Sequence, residues 1–251
     1  MTKVRAKRHV SATTAELSKR TAEYVAHGSA RAVAARGRLT IALSGGSMPK
    51  LLAAALIVEP LLSDIDWAAW HVFWADERCV ALTHPDSNYR LAREHLLDHL
   101  PIPAAQIYPI DDSLEAAAAA AAYQATLARV FQPVANQLPR FDLILLGLGE
   151  DGHTASLFPG HPLLNEAERW VAPIFDSPKL PPQRVTLTLP VINQARQVAF
   201  IASGAGKVNT LKLVLEPEPG SPSLPAQLVH PIDGELHWFV DDAAAAELSG
   251  R

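Results

Sequence analysis

The sequence has one cysteine, no long apolar run and no excess of positive charge. Cys79, as the single cysteine, excludes an internal disulfide and a cysteine-based metal site, as expected of a protein in the reducing cytoplasm. No apolar stretch approaches the roughly 20 residues of a membrane-spanning helix. The net charge is −4, so the chain lacks the excess of basic residues that is typical of nucleic-acid-binding proteins. We therefore expect a cytoplasmic protein without membrane or nucleic-acid partners.

The first residues of the chain are basic but lack an apolar segment behind them. Lys3, Arg5, Lys7 and Arg8 are followed by a polar stretch. A secretory signal would place an apolar region after such charges. We expect a solvated basic tail and no signal peptide.

Several catalytic and nucleotide-binding motifs are missing. The sequence contains neither the G-x-S-x-G elbow of serine hydrolases, nor the H-E-x-x-H motif of zinc enzymes, nor a nucleotide P-loop. Gly147, Gly149 and Gly152 match G-x-G-x-x-G, but Pro159 and Pro162 interrupt the helix that a dinucleotide site requires. We expect no metal and no cofactor.

Strand and helix patterns alternate along the 251 residues, of which 49% are hydrophobic and 19% charged. Alternation of this kind predicts a doubly wound, mostly parallel α/β sheet with helices on both faces. We expect a single domain over residues 1–251, a length that α/β folds often reach as one unit. Predicted strands cover residues 38–43, 70–75, 141–146, 170–175, 184–189, 197–202 and 235–240, with a short edge strand at 107–110. Predicted helices cover residues 11–36, 51–58, 87–100, 115–130 and a segment ending near 215, and a short last helix begins at Asp241 and Asp242.

The most informative stretch is FDLILLGLGEDGHTASLFPG, residues 141–160. Its first six residues are too apolar for a surface strand, so they predict a buried strand of a parallel sheet. The glycines that follow allow a sharp turn at the carboxyl end of that strand, where open α/β sheets bind ligands. Asp151 and His153 come directly after this turn. An imidazole beside a carboxylate at such a position indicates a proton-transfer site.

Glycine-rich loops and cations follow other predicted strands. A glycine turn that leads from a strand into a helix presents free N–H groups to an anion, and lysine and arginine supply charge. Any one of these cations alone could serve surface solubility, but together they indicate a pocket for a phosphorylated metabolite. The candidate phosphate-binding residues are Ser44, Gly45, Gly46, Ser47, Arg78, Arg184 and Lys207.

The remaining candidates are assigned structural roles. Cys79 lies beside Arg78, but a lone thiol more often packs than attacks a substrate. His161 lies between Gly160 and Pro162 and is interpreted as a loop residue.

Six segments together resemble the 6-phosphogluconolactonase family: SGGSMPK at 44–50, WADERCV at 74–80, DSNYRLAREHLL at 86–97, GLGEDGHTASLFPG at 147–160, RVTLTLPVIN at 184–193 and SGAGK at 203–207. The resemblance covers nearly the whole chain. It implies the Rossmann-like fold shared with glucosamine-6-phosphate deaminases. It also implies metal-free hydrolysis of 6-phospho-D-glucono-1,5-lactone to 6-phosphogluconate in the oxidative pentose phosphate pathway, by a monomer or homodimer.

Two other functions stay open beside the lactonase. The deaminases share the aspartate, glycine, histidine turn, but they carry Asn-Glu where this sequence has Leu157 and Phe158, and a tyrosine where it has Arg78. A non-catalytic sugar-phosphate sensor is the second alternative.

The resemblance also implies roles for the site residues. Neutral His153, with a reference pKa of about 6.5, would deprotonate the attacking water. Asp151 or Asp76 would orient the histidine or the water, and the sequence does not separate the two. The glycine loop, Arg184 and Lys207 would bind phosphate, and Arg78 would bind phosphate or lactone oxygens.

Overall fold

The computed structural model describes residues 6–135 and 137–249. Its strands are β1 (Lys7–Ser11), β2 (Leu39–Leu43), β3 (Trp70–Trp74), β4 (Asp76–Arg78), β5 (Leu143–Gly147), β6 (Val171–Ile174), β7 (Arg184–Leu187), β8 (Gln197–Ala202) and β9 (Glu235–Asp241). Its helices are α1 (Thr14–Arg36), α2 (Met48–Leu56), α3 (Leu61–Asp64), α4 (Asn88–His95), α5 (Ala116–Phe131), α6 (Leu189–Gln194) and α7 (Val208–Leu215). Within the described part of the chain, no helix is long and apolar enough to cross a membrane.

The larger sheet is parallel throughout. In the described residues it has six strands in the order β1-β9-β8-β5-β2-β3. The chain adds β3 on one side of β2 and later places β5 on the other side, so the winding direction reverses between β2 and β5. This arrangement confirms the predicted doubly wound, mostly parallel α/β fold. In such folds the carboxyl ends of the two strands at the reversal flank the ligand crevice.

A second, antiparallel sheet covers part of that edge. It consists of β4, β7 and β6, with β7 in the centre. Ala75 links the two sheets, because its N–H donates to the carbonyl of Leu43 and its carbonyl accepts from the N–H of Leu187. The predicted strands at 170–175 and 184–189 are thus confirmed, but they lie outside the main sheet. The chain leaves the main sheet at Ala75 and bends there toward β7.

The amino-terminal segment corrects the expectation of a solvated tail. Lys7 and Arg8 belong to β1, which pairs in parallel with β9. Lys7 Nζ lies 2.9 Å from Glu235 Oε1, and Arg8 NH1 lies 3.0 Å from Glu216 Oε1. The basic side chains point to surface carboxylates while the backbone completes the sheet edge. The other two basic positions, 3 and 5, lie outside the described residues.

Two further predicted elements are wrong. Residues 107–110 do not form a strand; Ile107 makes an isolated bridge to Val72. Asp241 does not start a helix, because it is the last residue of β9. Its buried carboxylate accepts hydrogen bonds from the Gly204 and Ala244 N–H groups and from the Thr14 hydroxyl. The carboxylate therefore joins the end of the sheet to neighbouring loops.

The alanine-rich helix α5 confirms the helix predicted at residues 115–130. Seven consecutive alanines give high helix propensity, and small side chains let the helix approach closely. Tyr123, Leu127 and Val130 form its buried face together with Ala119 and other alanines. The Tyr123 hydroxyl accepts from the backbone N–H of Trp74, which fixes α5 against β3.

Candidate active site

The turn after β5 places His153 at the carboxyl edge of the main sheet. The Gly149 N–H donates to the His153 carbonyl over 2.8 Å, and the Gly152 N–H donates to the Gly149 carbonyl over 3.0 Å. Gly152 adopts φ +82°, which favours glycine. A methyl group at Gly149 would overlap the His153 ring and contact the Asp151 carboxylate. The glycines therefore allow the imidazole and the carboxylate to fold back over the turn.

His153 and Asp151 form a short hydrogen bond between Nδ1 and Oδ1. A carboxylate at Nδ1 holds that nitrogen protonated, which leaves Nε2 with a free lone pair. Burial lowers the pKa of His153 below its usual value and outweighs the opposing effect of Asp151. The ring is therefore neutral at neutral pH. A neutral imidazole with Nε2 unprotonated is the form that accepts a proton from water.

Asp151 remains ionised beside this ring. Burial alone would raise its pKa, but the hydrogen bond from His153 and the charge of Lys179 lower the pKa below its usual value. Between the two carboxylates left open by the sequence, Asp151 is the one that contacts the imidazole.

Lys179 is a candidate site residue that sequence reasoning missed. Its ammonium lies 3.5 Å from Asp151 Oδ1 and 3.5 Å from His153 Nδ1. Its positive charge contributes to the lowered pKa of His153. The residue comes from the proline-rich turn between β6 and β7, which separates two of the predicted strands. The pattern around it gives no local signal of a site.

Arg184 holds that turn in place. Its guanidinium donates to the carbonyls of Pro181, Lys179 and Leu180 at 3.0, 2.9 and 3.2 Å. It also stacks over the Phe158 ring, with its central carbon 5.5 Å from the ring centre. Arg184 is 2% exposed, and burial lowers its pKa. The Arg184 guanidinium therefore positions the turn that carries Lys179 through hydrogen bonds, and the side chain also lines the cavity.

Asp76 lies on the opposite wall of the same site. Asp76 is 4% exposed, and its Oδ2 accepts from the Ser156 hydroxyl over 2.7 Å. Ser156 in turn accepts from Arg184 NH1 over 3.4 Å. This chain of contacts connects a buried carboxylate to a cation without a direct ion pair. Asp76 also lines the cavity, and its negative charge opposes the lowering of the His153 pKa.

The glycine loop after β2, the end of β4 and the start of α4 bring unpartnered polar atoms to the cavity. Among the described residues, Ser44 Oγ, Asn88 Oδ1 and Arg78 Nε are buried and have no hydrogen-bond partner. Asn88 is fixed by its amide nitrogen, which donates to the Asp76 carbonyl over 2.8 Å. A side chain at Gly45 would overlap the Asn88 amide. Buried polar groups are normally paired, so these atoms are positioned to bind a polar ligand.

Glu77 explains how Asn88 and Arg78 reach this position. The buried Glu77 carboxylate accepts from the backbone N–H groups of Arg78, Asn88 and Tyr89, each at 2.8 Å. Burial raises its pKa, and these N–H groups oppose that effect. Glu77 therefore fastens the amino end of α4 to β4 and has a structural role beside the site.

These side chains surround one cavity of about 350 Å³. Eight sequence-predicted residues line it: Ser44, Gly45, Gly46, Asp76, Arg78, His153, Arg184 and Lys207. Asp151 lies behind His153, and Ser47 is exposed at the start of α2. The lining also includes Asn88, Glu150, Thr154 and Lys179, which the sequence did not single out. Loops from both sheets thus converge as the parallel topology predicts.

Other titratable candidates lie outside this cavity. The His161 ring is 3.1 Å from Asp176 and belongs to a loop, as predicted. Burial raises the pKa of Cys79 to about 11, so its thiol stays protonated. His95 and His99 have a spacing that can chelate a metal, but α4 ends at His95. Across the described ranges, no group of three or more His, Cys, Asp or Glu side chains is placed to hold a metal ion.

Comparison with known proteins gives consistent matches. The family model for glucosamine-6-phosphate isomerases/6-phosphogluconolactonase matches residues 12–238. The human 6-phosphogluconolactonase is 49% identical over 237 residues, which cover 93% of this chain and 90% of that protein. A probable chloroplastic 6-phosphogluconolactonase 3 of Oryza sativa subsp. indica is 45% identical over 240 residues, covering 93% of this chain and 73% of that protein. The 6-phosphogluconolactonase structure from Trypanosoma cruzi has a TM-score of 0.87 at 32% identity, covering 99% of this chain and 98% of that one.

Proposed function

Because the chain belongs to the family of glucosamine-6-phosphate isomerases and 6-phosphogluconolactonases, we propose that it hydrolyses 6-phospho-D-glucono-1,5-lactone to 6-phospho-D-gluconate in the oxidative pentose phosphate pathway. One observation carries the proposal. A neutral His153, paired with Asp151, opens onto a cavity that is also lined by Arg78 and Lys207. A base and a cationic anion site within one small cavity suit a phosphorylated ester.

His153 is the general base of the proposed reaction. Its Nε2 takes a proton from water while the water oxygen bonds to the lactone carbonyl carbon. The tetrahedral intermediate then collapses, and the bond between that carbon and the ring oxygen breaks. The imidazolium returns its proton to the departing ring oxygen, which leaves a carboxylic acid and regenerates the base. Asp151 holds the ring and stabilises its positive charge during the step.

The substrate phosphate binds at the loop between β2 and α2. Ser44 and Gly45 contribute polar and backbone groups there, and Arg78 and Lys207 contribute charge. Lys207 acts as a point charge, whereas the arginine fork can contact two oxygens. Backbone N–H groups of the glycine loops are the proposed donors to the oxyanion, each contributing about 3 kcal/mol by comparison with known oxyanion holes.

Two buried apolar residues of the segment after β5 support the lactonase over the deaminase. Leu157 and Phe158 stand where the resemblance places Asn-Glu in deaminases, and both are at most 1% exposed. The Phe158 ring lies 4.8 Å from the His153 ring. These two positions therefore supply apolar packing, with Phe158 against the base, and neither supplies a carboxylate for ring-opening chemistry.

A direct assay tests the proposed function. Purified protein should hydrolyse freshly prepared 6-phosphogluconolactone, measured by coupling to a 6-phosphogluconate dehydrogenase. The same preparation should release no ammonia from glucosamine 6-phosphate. Ammonia release would establish the deaminase instead. Saturable binding of 6-phosphogluconate without turnover of the lactone would support the sugar-phosphate sensor.

Further properties of the protein belong to the same proposal. We propose one functional domain over residues 1–251, acting in the cytoplasm as a monomer or homodimer, without metal or cofactor and without nucleic-acid or membrane partners. The buried residues of both sheets form one hydrophobic cluster, which supports a single domain. The lone Cys79 suits a reducing compartment. Since the rice relative is chloroplastic, cell fractionation is the measurement that decides the compartment.

A further inference from the structure

Four arginines gather at the edge of the main sheet opposite the active site. Arg36 and Arg38 precede β2, Arg140 precedes β5, and Arg196 precedes β8. These three strands are neighbours in the sheet and run parallel. The same three strands carry active-site loops at their carboxyl ends. The four arginines at their amino ends are called the arginine cluster.

The arginine cluster surrounds one interior carboxylate. Asp142 is 6% exposed, and its Oδ2 accepts from the N–H and hydroxyl of Thr40. Its Oδ1 accepts from Arg36 over 2.8 Å and lies 3.4 Å from Arg196 Nε. Both oxygens are thus committed inside the protein. One carboxylate cannot neutralise the whole cluster.

The contacts of the other two arginines do not neutralise the positive charge of the cluster. Arg38 donates to the Val130 carbonyl, a neutral acceptor. Arg140 pairs at 3.4 Å with Asp233, whose side chain is 65% exposed. In the described part of the chain, Nε of Arg140 is buried without a hydrogen-bond partner, and Nε of Arg196 faces only the already engaged Asp142 carboxylate, at 3.4 Å and without a hydrogen bond. A buried donor such as Arg140 Nε is normally satisfied, so it indicates a missing acceptor.

A cavity lies beside these donors. It measures about 690 Å³, and all four members of the arginine cluster line it. The rest of the described lining consists of three glutamines and five apolar residues, with no aspartate or glutamate. The site is therefore concave, positively charged and larger than the 350 Å³ active-site cavity. Concave sites with a few convergent polar groups are typical of small-molecule ligands.

We propose that the arginine cluster binds a phosphate-bearing metabolite carrying two or more negative charges. A phosphate group offers three oxygens to separate guanidinium forks, whereas a carboxylate offers two. The apolar part of the lining accommodates the organic part of the ligand. Burial and the neighbouring charges of Arg36 and Arg140 lower the pKa of Arg196, and a bound anion relieves that repulsion. The site is separate from the proposed lactone site and does not rest on the proposed function.

Arginine side-chain NMR tests the proposal with pyrophosphate as the probe. The full-length ¹⁵N-labelled protein is titrated at constant ionic strength, and the Nε–H signals are followed. The signals of Arg140 and Arg196 should shift along one saturable curve. The variant Arg196→Gln should weaken the binding seen at Arg140 by about tenfold, the scale of losing a charge-assisted hydrogen bond. The matched variant Arg93→Gln, at an exposed ion pair on α4, should leave it unchanged.

The same titration separates the two anion sites. Binding at the active site is followed through Arg78, and lactone hydrolysis by Arg196→Gln should stay within about twofold of wild type, since Arg196 lies at the far edge. Linear shifts at Arg140 and Arg196 that match those of added sodium chloride would overturn the proposal. Saturation by citrate and not by pyrophosphate would overturn the phosphate class. Both readings use the folded wild-type protein and do not depend on a variant.

Discussion

The carboxyl edge and the amino edge of the main sheet differ in how their polar groups are paired. At the carboxyl edge, where β2, β5 and β8 end, the polar atoms include the unpartnered Ser44 Oγ and, from the start of α4, Asn88 Oδ1. At the amino edge, the same strands begin beside Asp142, both of whose oxygens accept hydrogen bonds from the protein. The comparison shows which polar groups stabilise the fold and which are held ready for a ligand. Unsatisfied groups cost stability, so the unpartnered atoms at the carboxyl edge, like Arg140 Nε at the amino edge, mark places for a ligand, whereas the Asp142 oxygens stabilise the fold.

The close-packed glycines of the site lie at the carboxyl edge. Gly45 and Gly149 stand at the carboxyl edge, where a side chain would collide with Asn88 or His153. The amino edge instead has long cationic side chains that reach back over the strand starts. We expect substitutions at the carboxyl edge to change catalysis and substitutions around Asp142 to change stability.

The largest expected effect is at His153. Replacing His153 by alanine should lower kcat about 10³-fold with little change in KM, because the base acts on water and not on the phosphate. Steady-state kinetics on the lactone measures the change. The matched variant His161→Ala removes a histidine that pairs with Asp176 outside the cavity and should keep wild-type kcat. Equal losses in both variants would show that a general disturbance of this loop, and not the base, is responsible.

The next largest effect concerns the amino edge. Asp142→Asn should lower the free energy of unfolding by about 2 kcal/mol, because Arg36 and Thr40 lose a charged acceptor in a buried position. Urea denaturation measures this change, and kcat/KM should stay within about twofold of wild type. Asp233→Asn, at a 65% exposed carboxylate, is the control and should change stability by less than about 0.5 kcal/mol. A loss of activity in Asp142→Asn without a loss of stability would reverse the assignment of the two edges.

Most of the main sheet could be predicted from local patterns. The strands that became β2, β3, β5, β8 and β9 are short apolar runs ending in glycine or charged residues, and the structure places them within one or two residues of the prediction. β1 was missed because its exposed positions are basic and only its pairing with β9 makes it a strand. The separate small sheet was missed because it depends on a bend at Ala75, and no residue type there requires one.

The site was predicted to the extent that its residues follow strands directly. His153, Arg78 and Lys207 come just after strands or at their ends, so the parallel topology brings them together. Lys179 follows no such rule. Its position depends on hydrogen bonds from Arg184 to the carbonyls of its turn, a contact that sequence periodicity does not report. The same holds for Asn88, which reaches the cavity through the buried Glu77. The positions of residues that are held by other side chains are visible in the structure and are not predictable from the sequence pattern.

The smallest predicted effect tests this missed lysine. The charge of Lys179 lowers the pKa of His153, so Lys179→Gln should raise that pKa and move the acidic limb of the kcat/KM profile to higher pH. Because the base must be neutral, activity below the limb should fall by roughly threefold, a modest effect since the side chain is 44% exposed. Lys50→Gln, at an exposed lysine in the first turn of α2, should leave the limb where it is. An unchanged limb in Lys179→Gln, or one displaced to lower pH, would mean that the Lys179 ammonium does not act on the imidazole. Burial and Asp151 alone would then determine the pKa of His153.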